Sequence, residues 1–359
     1  MKTNGKIKQD KVLTAIVGSY PKPKYVFSKT GRQLLDDVGI SFYKKAEKIG
    51  RKFDDKLDKA SFGAISDQNL AGIDLITDGE ERRGHYVLHI LKGLSGIDFN
   101  KLTKVSIRGG TYERNLPTVT GPIKYKSPIL INEFKFTVNN AKGFAKIGLP
   151  GPSTVVDCIA DEYYQGDKEK LAFDYARAIK NEIKALIDAG CRVIQFDDPV
   201  LLRYPENAKD WGLKALQECF KGLEDKAYFI VHICCGYPNK PLEKKGVDYK
   251  ANHDYYKDVL SWLSKSTLDA VSIEGAQSKL DLSTLSAIGE KTIMLGVLDV
   301  GSNKVETVKS LVKRGKEALR YIRKKQLILA PDCGMLQLSR KAAKAKLKNA
   351  ALAANILNS

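Results

Sequence analysis

The sequence lacks any apolar run that approaches the roughly 18 residues needed to cross a membrane. Its amino-terminal stretch, MKTNGKIKQDKV, is basic but is not followed by the apolar segment of a signal peptide. Six cysteines spread over 359 residues are too scattered for a disulfide scaffold. We therefore expect a cytoplasmic protein with no membrane partner, whose cysteines are core residues, metal ligands or nucleophiles.

Acidic residues are in deficit, with 42 of them against 60 lysines and arginines, which gives a net charge of +18. Such an excess can mark a nucleic-acid-binding protein. The lysines, however, are scattered beside acidic residues, and the densest basic clusters, 314–325 and 339–349, look like solvated helix faces. No nucleic-acid motif is recognisable, so we predict no nucleic-acid partner and a surface that favours anionic ligands. A basic barrel associated with RNA is the non-enzymatic alternative.

A recurring unit organises the chain, in which a short apolar run is followed by a helical segment. Eight such runs cover residues 12–21, 73–80, 145–154, 191–200, 227–236, 268–276, 291–300 and 326–335. Apolar strands that alternate with helices imply parallel strands buried on both faces. Eight of them predict an α/β fold, a (β/α)8 TIM barrel that forms a single catalytic domain over residues 1–359. We expect an N-terminal helical insertion at about 28–70 and a small β insertion at about 96–144, before the third strand.

Polar residues end the eight runs, and the active site of such a barrel lies at the carboxyl ends of its strands. These ends contain Gly18 and Ser19, Asp78 to Glu80, Pro152 to Thr154, Asp197 to Pro199, His232 to Cys235, Glu274, Asp299, and Asp332 to Gly334. We therefore expect these groups to be neighbours in the fold.

The stretch VHICC contains one of only four histidines and two of the six cysteines. Alternate residues of a strand point the same way, so His232 and Cys234 project together and Cys235 projects oppositely. A disulfide between adjacent cysteines would be strained, which argues against a redox pair. With Glu274 and Cys333 at other strand ends, the set of ligands suits Zn2+. The simpler interpretation, strand-end packing without a metal, stays open for the His-x-Cys pair taken alone.

A zinc ion held by two thiolates and a carboxylate would be electron-rich and a weak Lewis acid. It suits the binding of a substrate thiol as thiolate, because coordination removes the thiol proton. The bound sulfur stays nucleophilic, so alkyl transfer to sulfur is the predicted reaction. The nucleophile would then be the substrate thiolate, and no protein side chain would serve as one.

Eight segments carry a family resemblance: IVGSYP (16–21), TDGEERR (77–83), LPGPST (149–154), IQFDDPVL (194–201), VHICC (231–235), SIEGAQS (272–278), GVLDV (296–300) and APDCG (330–334). In this order they resemble the catalytic C-terminal half of cobalamin-independent methionine synthase. The resemblance implies a zinc-bearing barrel that transfers a methyl group to homocysteine to form methionine.

The resemblance also implies the roles of individual residues. The zinc ligands would be His232, Cys234, Glu274 and Cys333. The homocysteine site would comprise Val17, Ser19, Glu80 and Asp197. In this arrangement the two carboxylates can hold the substrate ammonium, while the Ser19 hydroxyl and nearby backbone N–H groups can take its carboxylate.

The methyl-donor side departs from the family pattern. The family tryptophan after L-x-G-P-x-T is Cys158 here, the acid after D-E-P-A-L-R is Arg203, and the catalytic histidine of G-V-Y-D-I-H-S is Gly301. The R-C-x-x-P-P segment has become TYERNLP, with Arg114 close by. We expect a short, core-type enzyme without the N-terminal half of the long ones.

Two donors are open, 5-methyltetrahydrofolate and a methylcorrinoid, the second of which could be carried by a corrinoid protein. The candidate residues on the donor side are Arg114, Cys158, Arg203 and Asp299. Two other enzymes would keep the barrel. Zinc-dependent alkyl transfer to coenzyme M is disfavoured because Ser19, Glu80 and Asp197 suit an amino-acid thiol. A decarboxylase of the porphyrinogen type would contain no zinc.

Overall fold

A computed structural model describes residue 7, residues 9–26 and residues 40–359. In chain order the strands are β1 Leu13–Thr14, β2 Leu75–Ile76, β3 Leu94–Ile107, β4 Tyr112–Tyr125, β5 Phe144–Pro150, β6 Ala160–Asp161, β7 Val193–Asp197, β8 Tyr228–Ile233, β9 Ala270–Ile273, β10 Thr292–Leu298 and β11 Leu327–Pro331. Most of them coincide with the apolar runs, which end at polar residues or glycine.

Eight of these strands form one sheet in the order β1-β11-β10-β9-β8-β7-β5-β2, and the paired strands run parallel. A further parallel bridge joins Ala15, directly after β1, to Leu75 in β2. Because this bridge brings the two edges of the sheet together, the sheet is a nearly closed barrel. The TIM barrel predicted from the eight apolar runs is confirmed.

Helices surround the barrel. They are α1 Ile40–Ile49, α2 Arg51–Ala71, α3 Tyr86–Leu91, α4 Ile131–Asn140, α5 Pro152–Asp157, α6 Lys168–Asp188, α7 Val200–Arg203, α8 Pro205–Asn207, α9 Leu213–Glu218, α10 Lys240–Lys244, α11 Tyr256–Ser264, α12 Val308–Ala318 and α13 Arg340–Asn358. The longest ones bury an apolar stripe against the strands. Helix α6 shows how the sequence sets the bounds, since the Asp167 carboxylate caps its first turn and Gly190, with φ 99°, follows its end.

The side chains of each strand alternate between two apolar layers. In β8, Tyr228 and Ile230 belong to a cluster inside the barrel, whereas Phe229 and Val231 belong to a larger cluster between the strands and the helices. His232 continues the inner series. The barrel interior therefore changes from apolar to polar toward the carboxyl ends of the strands.

The two predicted insertions are only partly as expected. Residues 28–39 of the helical insertion lie outside the described residues, and α1 and α2 cover the rest of it. In the second insertion, β3 and β4 pair as an antiparallel hairpin, to which β6 adds a third strand. The segment 131–140 is helix α4 and not β structure, because Phe134 and Thr137 are buried at helical spacing. The assignment of all 359 residues to one catalytic domain stays a prediction.

Among the helices that the structure describes, none combines the length and the apolar character needed to span a bilayer.

Candidate active site

A cavity of about 200 Å³ opens at the carboxyl ends of the barrel strands. Strand ends form its floor, and the tip of the β3–β4 hairpin, with Arg108 and Tyr112, forms part of its wall. The residues that line it and were predicted from the sequence are Val17, Ser19, Glu80, Arg114, Cys158, Asp197, Arg203, His232, Cys234 and Cys333. Polar strand ends from distant parts of the chain thus meet in one place.

Three of the four predicted metal ligands form a compact group, which we call the His–Cys–Cys cluster: His232, Cys234 and Cys333. One ligand atom from each residue lies within 4.8 Å of the other two, and the two Sγ atoms are 3.9 Å apart. His232 and Cys234 point together because they are alternate residues that continue β8 inside the barrel. Cys235 faces the other way, into the outer apolar layer, as the strand period predicts.

The His232 ring is held by one nitrogen and free at the other. Its Nδ1 atom lies 2.9 Å from Ser272 Oγ, on the neighbouring strand β9. Its Nε2 atom is buried and has no hydrogen-bond partner among the described residues. An unpartnered buried nitrogen is costly, whereas a metal-bound histidine commonly has its second nitrogen held in this way. With two cysteine sulfurs beside it, this nitrogen fits a zinc site.

The pKa values of the two cysteines in the cluster shift in opposite directions. The contact between their sulfur atoms and the neighbouring His232 lower the pKa of Cys234, while the same contact and burial raise the pKa of Cys333. A bound cation would favour both sulfurs as thiolates.

Glu274, the fourth predicted ligand, lies beside the cluster and not within it. Its Oε1 atom accepts a hydrogen bond from Lys250 Nζ at 2.7 Å, and its Oε2 atom accepts one from the backbone N–H of Cys235 at 3.3 Å. Burial raises the pKa of this carboxyl to about 7, against the opposing effect of Lys250. Asp332 accepts hydrogen bonds from three successive backbone N–H groups, those of residues 275 to 277, and so fixes the loop that follows Glu274.

Two further carboxylates, Glu80 and Asp197, form what we call the carboxylate pair. A Cβ atom at Gly148 would lie 3.2 Å from Asp197 Oδ2 and 3.5 Å from Glu80 Oε1. Both carboxylates therefore lie close to this glycine, which has no side chain. Burial raises the pKa of Asp197 to about 6. Glu80 has a φ of 55°, an uncommon conformation for a residue with a side chain, and it follows Gly79 directly after β2.

Two buried cations stabilise the carboxylate pair. Lys146 is completely buried inside the barrel, and its Nζ atom donates to Val17 O at 2.5 Å and to Gln195 Oε1 at 2.6 Å. Burial lowers its pKa to about 8, while the charges of Asp197 and Glu80 act in the opposite direction. Arg83 lies 3.5 Å from Glu80 Oε1. Val17 therefore contributes a backbone carbonyl that orients Lys146.

Ser19 lies on the other side of the mouth, beside the loop that carries Cys333. A Cβ atom at Gly334 would lie 2.2 Å from Ser19 Oγ, so only glycine leaves room for this hydroxyl. The backbone N–H of Met335 donates to Ser19 O at 2.8 Å and holds the two loops together.

Sequence reasoning missed Ser272, Lys250, Lys146 and Arg83. The first two contact candidate metal ligands, Arg83 contacts Glu80, and Lys146 interacts electrostatically with the carboxylate pair. Ser272 and Arg83 lie within the segments SIEGAQS and TDGEERR, but these segments predicted no role for them, because each contact depends on how neighbouring strands and loops align. The lysine within the apolar run AKIGLP was the one visible signal, since burial of a charge requires a partner.

Three of the four residues predicted on the donor side line the cavity, and the fourth does not. Arg114, Cys158 and Arg203 line the cavity, and Cys158 is a buried thiol whose pKa burial raises to about 12. Asp299 is not among the lining residues. Its Oδ1 atom instead accepts from the backbone N–H of Gly301 at 2.7 Å, as a turn residue does.

Gly301 has no room for a side chain without rearrangement. A Cβ atom there would lie 2.8 Å from Gln277 Nε2 and 3.2 Å from Asp299 Oδ1. The histidine of the family pattern therefore has no equivalent at this position.

Comparison with known proteins agrees with this geometry. Residues 12–356 match the family described as "Cobalamin-independent synthase, Catalytic domain". The chain is 31% identical over 336 residues to the methionine synthase of Saccharolobus solfataricus, covering 93% of this chain and 91% of that protein. It is 29% identical to the methionine synthase of Pyrococcus abyssi, with 96% and 92% covered.

Solved structures show the same similarity. A B12-independent methionine synthase from Shewanella sp. W3-18-1, in complex with selenomethionine, superposes with a TM-score of 0.83 at 30% identity and covers 96% of this chain and 97% of its own. A putative vitamin-B12 independent methionine synthase from Listeria monocytogenes, at 21% identity and a TM-score of 0.70, shares the fold over 97% of this chain and 99% of its own.

Replacement of Lys146 by methionine tests the role of the buried cation. An ionised Asp197 costs stability above pH 6 or so, because burial raises its folded pKa above the unfolded value. Lys146 offsets this cost, so K146M should lower the free energy of unfolding by about 3 kcal/mol at pH 7. The loss should shrink toward pH 5, where Asp197 takes up a proton. Urea unfolding at both pH values measures the loss of unfolding free energy, with K170M on the exposed face of α6 as the control. An equal loss at both pH values would contradict the role of Lys146 as the cation that offsets the charge of Asp197.

Replacement of Ser272 by alanine tests the orientation of His232. Without the hydroxyl the ring loses its partner at Nδ1, and Zn2+ affinity should fall about 10-fold. Competition with a chromophoric chelator measures this affinity directly. S286A removes an exposed hydroxyl far from the cavity and should bind Zn2+ like the wild type. An S272A protein with unchanged affinity would show that this contact does not support a metal ligand.

Proposed function

The chain belongs to the cobalamin-independent methionine synthase family, and on that premise we propose that it transfers a methyl group to the thiol of homocysteine, with zinc, to form methionine. The observation that carries this proposal is the presence of the His–Cys–Cys cluster and the carboxylate pair in one cavity. The first suits a sulfur-binding metal, and the second suits an ammonium group. An amino acid with a thiol at its far end presents both.

The residues of the cluster would hold the metal through His232 Nε2 and the sulfurs of Cys234 and Cys333. Glu274, on the neighbouring strand, is the fourth candidate. When bound, a zinc ion supplies the positive charge that keeps a substrate thiol deprotonated at neutral pH. Ser272 orients the histidine ring toward this site, and Lys250 balances the charge of the buried Glu274 carboxylate.

The carboxylate pair would bind the α-ammonium group of homocysteine. The charge of Lys146 favours the ionised state of Asp197, which burial opposes, and Arg83 lies 3.5 Å from Glu80 Oε1. Ser19 Oγ, across the mouth, would take the substrate carboxylate. Selenomethionine in the similar Shewanella enzyme is an analogue of the proposed product, which supports an amino-acid acceptor here.

These charges disfavour the alternative acceptor, coenzyme M. A thiol that carries a sulfonate and no ammonium group would bring a negative charge toward Glu80 and Asp197 and would not offer these carboxylates an ammonium partner. A decarboxylase of the porphyrinogen type would leave the cluster without a role. The donor is either 5-methyltetrahydrofolate or a methylcorrinoid, which a corrinoid protein could present at the cavity mouth.

An assay of the purified, zinc-loaded protein tests the proposal. Homocysteine is offered with 5-methyltetrahydrofolate, as mono- and triglutamate, and with methylcobalamin in parallel, and methionine is measured by mass spectrometry. We expect methionine from at least one donor and none from C333A, which loses a metal ligand. If the zinc-loaded wild type forms no methionine from any donor, the proposed function is wrong.

Replacement of Glu80 by glutamine tests the amino-acid site. The variant removes one charged partner of the ammonium group, so the Kd for homocysteine should rise about 10- to 100-fold. Zn2+ affinity should stay unchanged, because Glu80 is not in the cluster. Calorimetric titration of zinc-loaded protein measures both, with E169Q on the surface of α6 as the control. A homocysteine Kd within twofold of the wild type would refute the ammonium assignment.

A further inference from the structure

Two arginine side chains enter the cavity from different elements and converge beside Gly236. Arg108 lies at the tip of the β3–β4 hairpin, and Arg203 ends α7. A Cβ atom at Gly236 would lie 3.7 Å from Arg203 Nη2 and 3.8 Å from Arg108 Nη1. The two guanidinium groups therefore border the same small volume, and Gly236 leaves that volume open.

Neither guanidinium group forms an ion pair with a carboxylate among the described residues. Arg203 Nη2 donates to two backbone carbonyls, Tyr249 O at 2.8 Å and Cys235 O at 3.5 Å. Arg108 lies over the Tyr112 ring, with its Cζ atom 5.7 Å from the ring centroid. Both side chains are half-buried, and two half-buried guanidinium groups side by side without a carboxylate partner suggest a place for an anion.

One acid, Asp157, is close enough to influence both arginines. It accepts a hydrogen bond from the backbone N–H of Arg108 at 3.2 Å and interacts electrostatically with both side chains. Lys168 acts on the same carboxylate. Three cations thus surround one acid, and the local charge stays positive.

The backbone of Arg108 is in a left-handed conformation, and the residue lines the cavity. Its φ is 53°, and Gly109 and Gly110 follow with φ values of 66° and 87°. A left-handed conformation is unfavourable for a residue with a long side chain and persists where its surroundings hold it. The contact between Asp157 and the Arg108 backbone supplies such a hold.

We propose that Arg108 and Arg203 bind an oxyanion, a carboxylate or a phosphate group, that is carried by the methyl donor. This inference rests on the proposed function for the identity of the ligand. Planar guanidinium groups match both oxyanions, which can accept paired hydrogen bonds from them. Arg108, Arg203 and Cys234 line the same cavity, so an anion held by the arginines would share that cavity with the His–Cys–Cys cluster.

The substrate amino acid does not need these arginines. Ser19, its proposed carboxylate partner, follows β1, and β1 lies opposite β8 in the barrel order. Gly236 and the two arginines are near the end of β8. Tyr86, Leu116 and Tyr112 also line the cavity and offer apolar surface to the uncharged part of a donor.

Calorimetric titration of zinc-loaded protein tests the subsite. Inorganic phosphate and glutarate serve as probes of the two oxyanions. Wild-type protein should bind at least one of them, and R108Q and R203Q should each weaken this binding about 10- to 100-fold. R203K, which keeps the charge and loses the planar fork, should lie between R203Q and the wild type. R320Q, at an exposed position on the outside of the barrel, is the matched control.

Two pairs of methyl donors distinguish a carboxylate from a phosphate as the oxyanion that the arginines bind. Triglutamyl and monoglutamyl 5-methyltetrahydrofolate differ in carboxylates, and methylcobalamin and methylcobinamide differ in the phosphate-bearing tail. R108Q and R203Q should bind the donor that carries the recognised oxyanion more weakly than the wild type does. Their Kd for homocysteine should stay the same.

Two results would overturn the inference. One is that both variants bind the probes and every donor as the wild type does. The other is that they weaken homocysteine and leave the donors unchanged, because the arginines would then serve the amino acid. Failure of the proposed function gives a different result. In that case no donor yields methionine, yet phosphate or glutarate still binds in an arginine-dependent way, and the oxyanion subsite stands.

Discussion

The burial of charge at the carboxyl ends of the barrel strands is the constraint on which this site depends. Glu80 is buried and Asp197 is half-buried, and an ion in such a place is costly unless it is paired and hydrogen-bonded. The layer beneath them accordingly contains Lys146 and Gln195, where a TIM barrel usually has branched apolar residues. On the proposed function, these carboxylates would hold the ammonium group of the substrate.

The same constraint shapes the sulfur side of the cavity. His232, Ser272 and Glu274 are inner residues of neighbouring strands, and each polar atom there has a partner except His232 Nε2. One unsatisfied nitrogen beside two cysteine sulfurs is a set of donors that fits a zinc ion. On the proposed function, the carboxylate pair and the cluster would bind the two ends of one amino acid, and the tip of the β3–β4 hairpin forms part of the wall of the same cavity.

The sequence predicted most of what depends on local periodicity. The inward direction of His232 and Cys234 follows from the strand period, and eight apolar runs predicted eight barrel strands. Contacts that depend on register between strands were not predictable, such as that of Ser272 with His232. Asp299 shows the limit of reasoning from strand ends, because a polar residue there can equally form a turn. The segment 131–140 combined an alternating pattern with a helical one, and burial of Phe134 and Thr137 decided for the helix.

The central claim is that the cluster binds zinc and that the substrate sulfur joins the same metal. X-ray absorption at the zinc edge, on protein with and without homocysteine, tests it most directly. The account predicts one zinc per chain with two sulfur ligands and a histidine nitrogen, and a third sulfur when homocysteine is added. A zinc environment that homocysteine leaves unchanged, or a purified protein that takes up no zinc at this site, would contradict it.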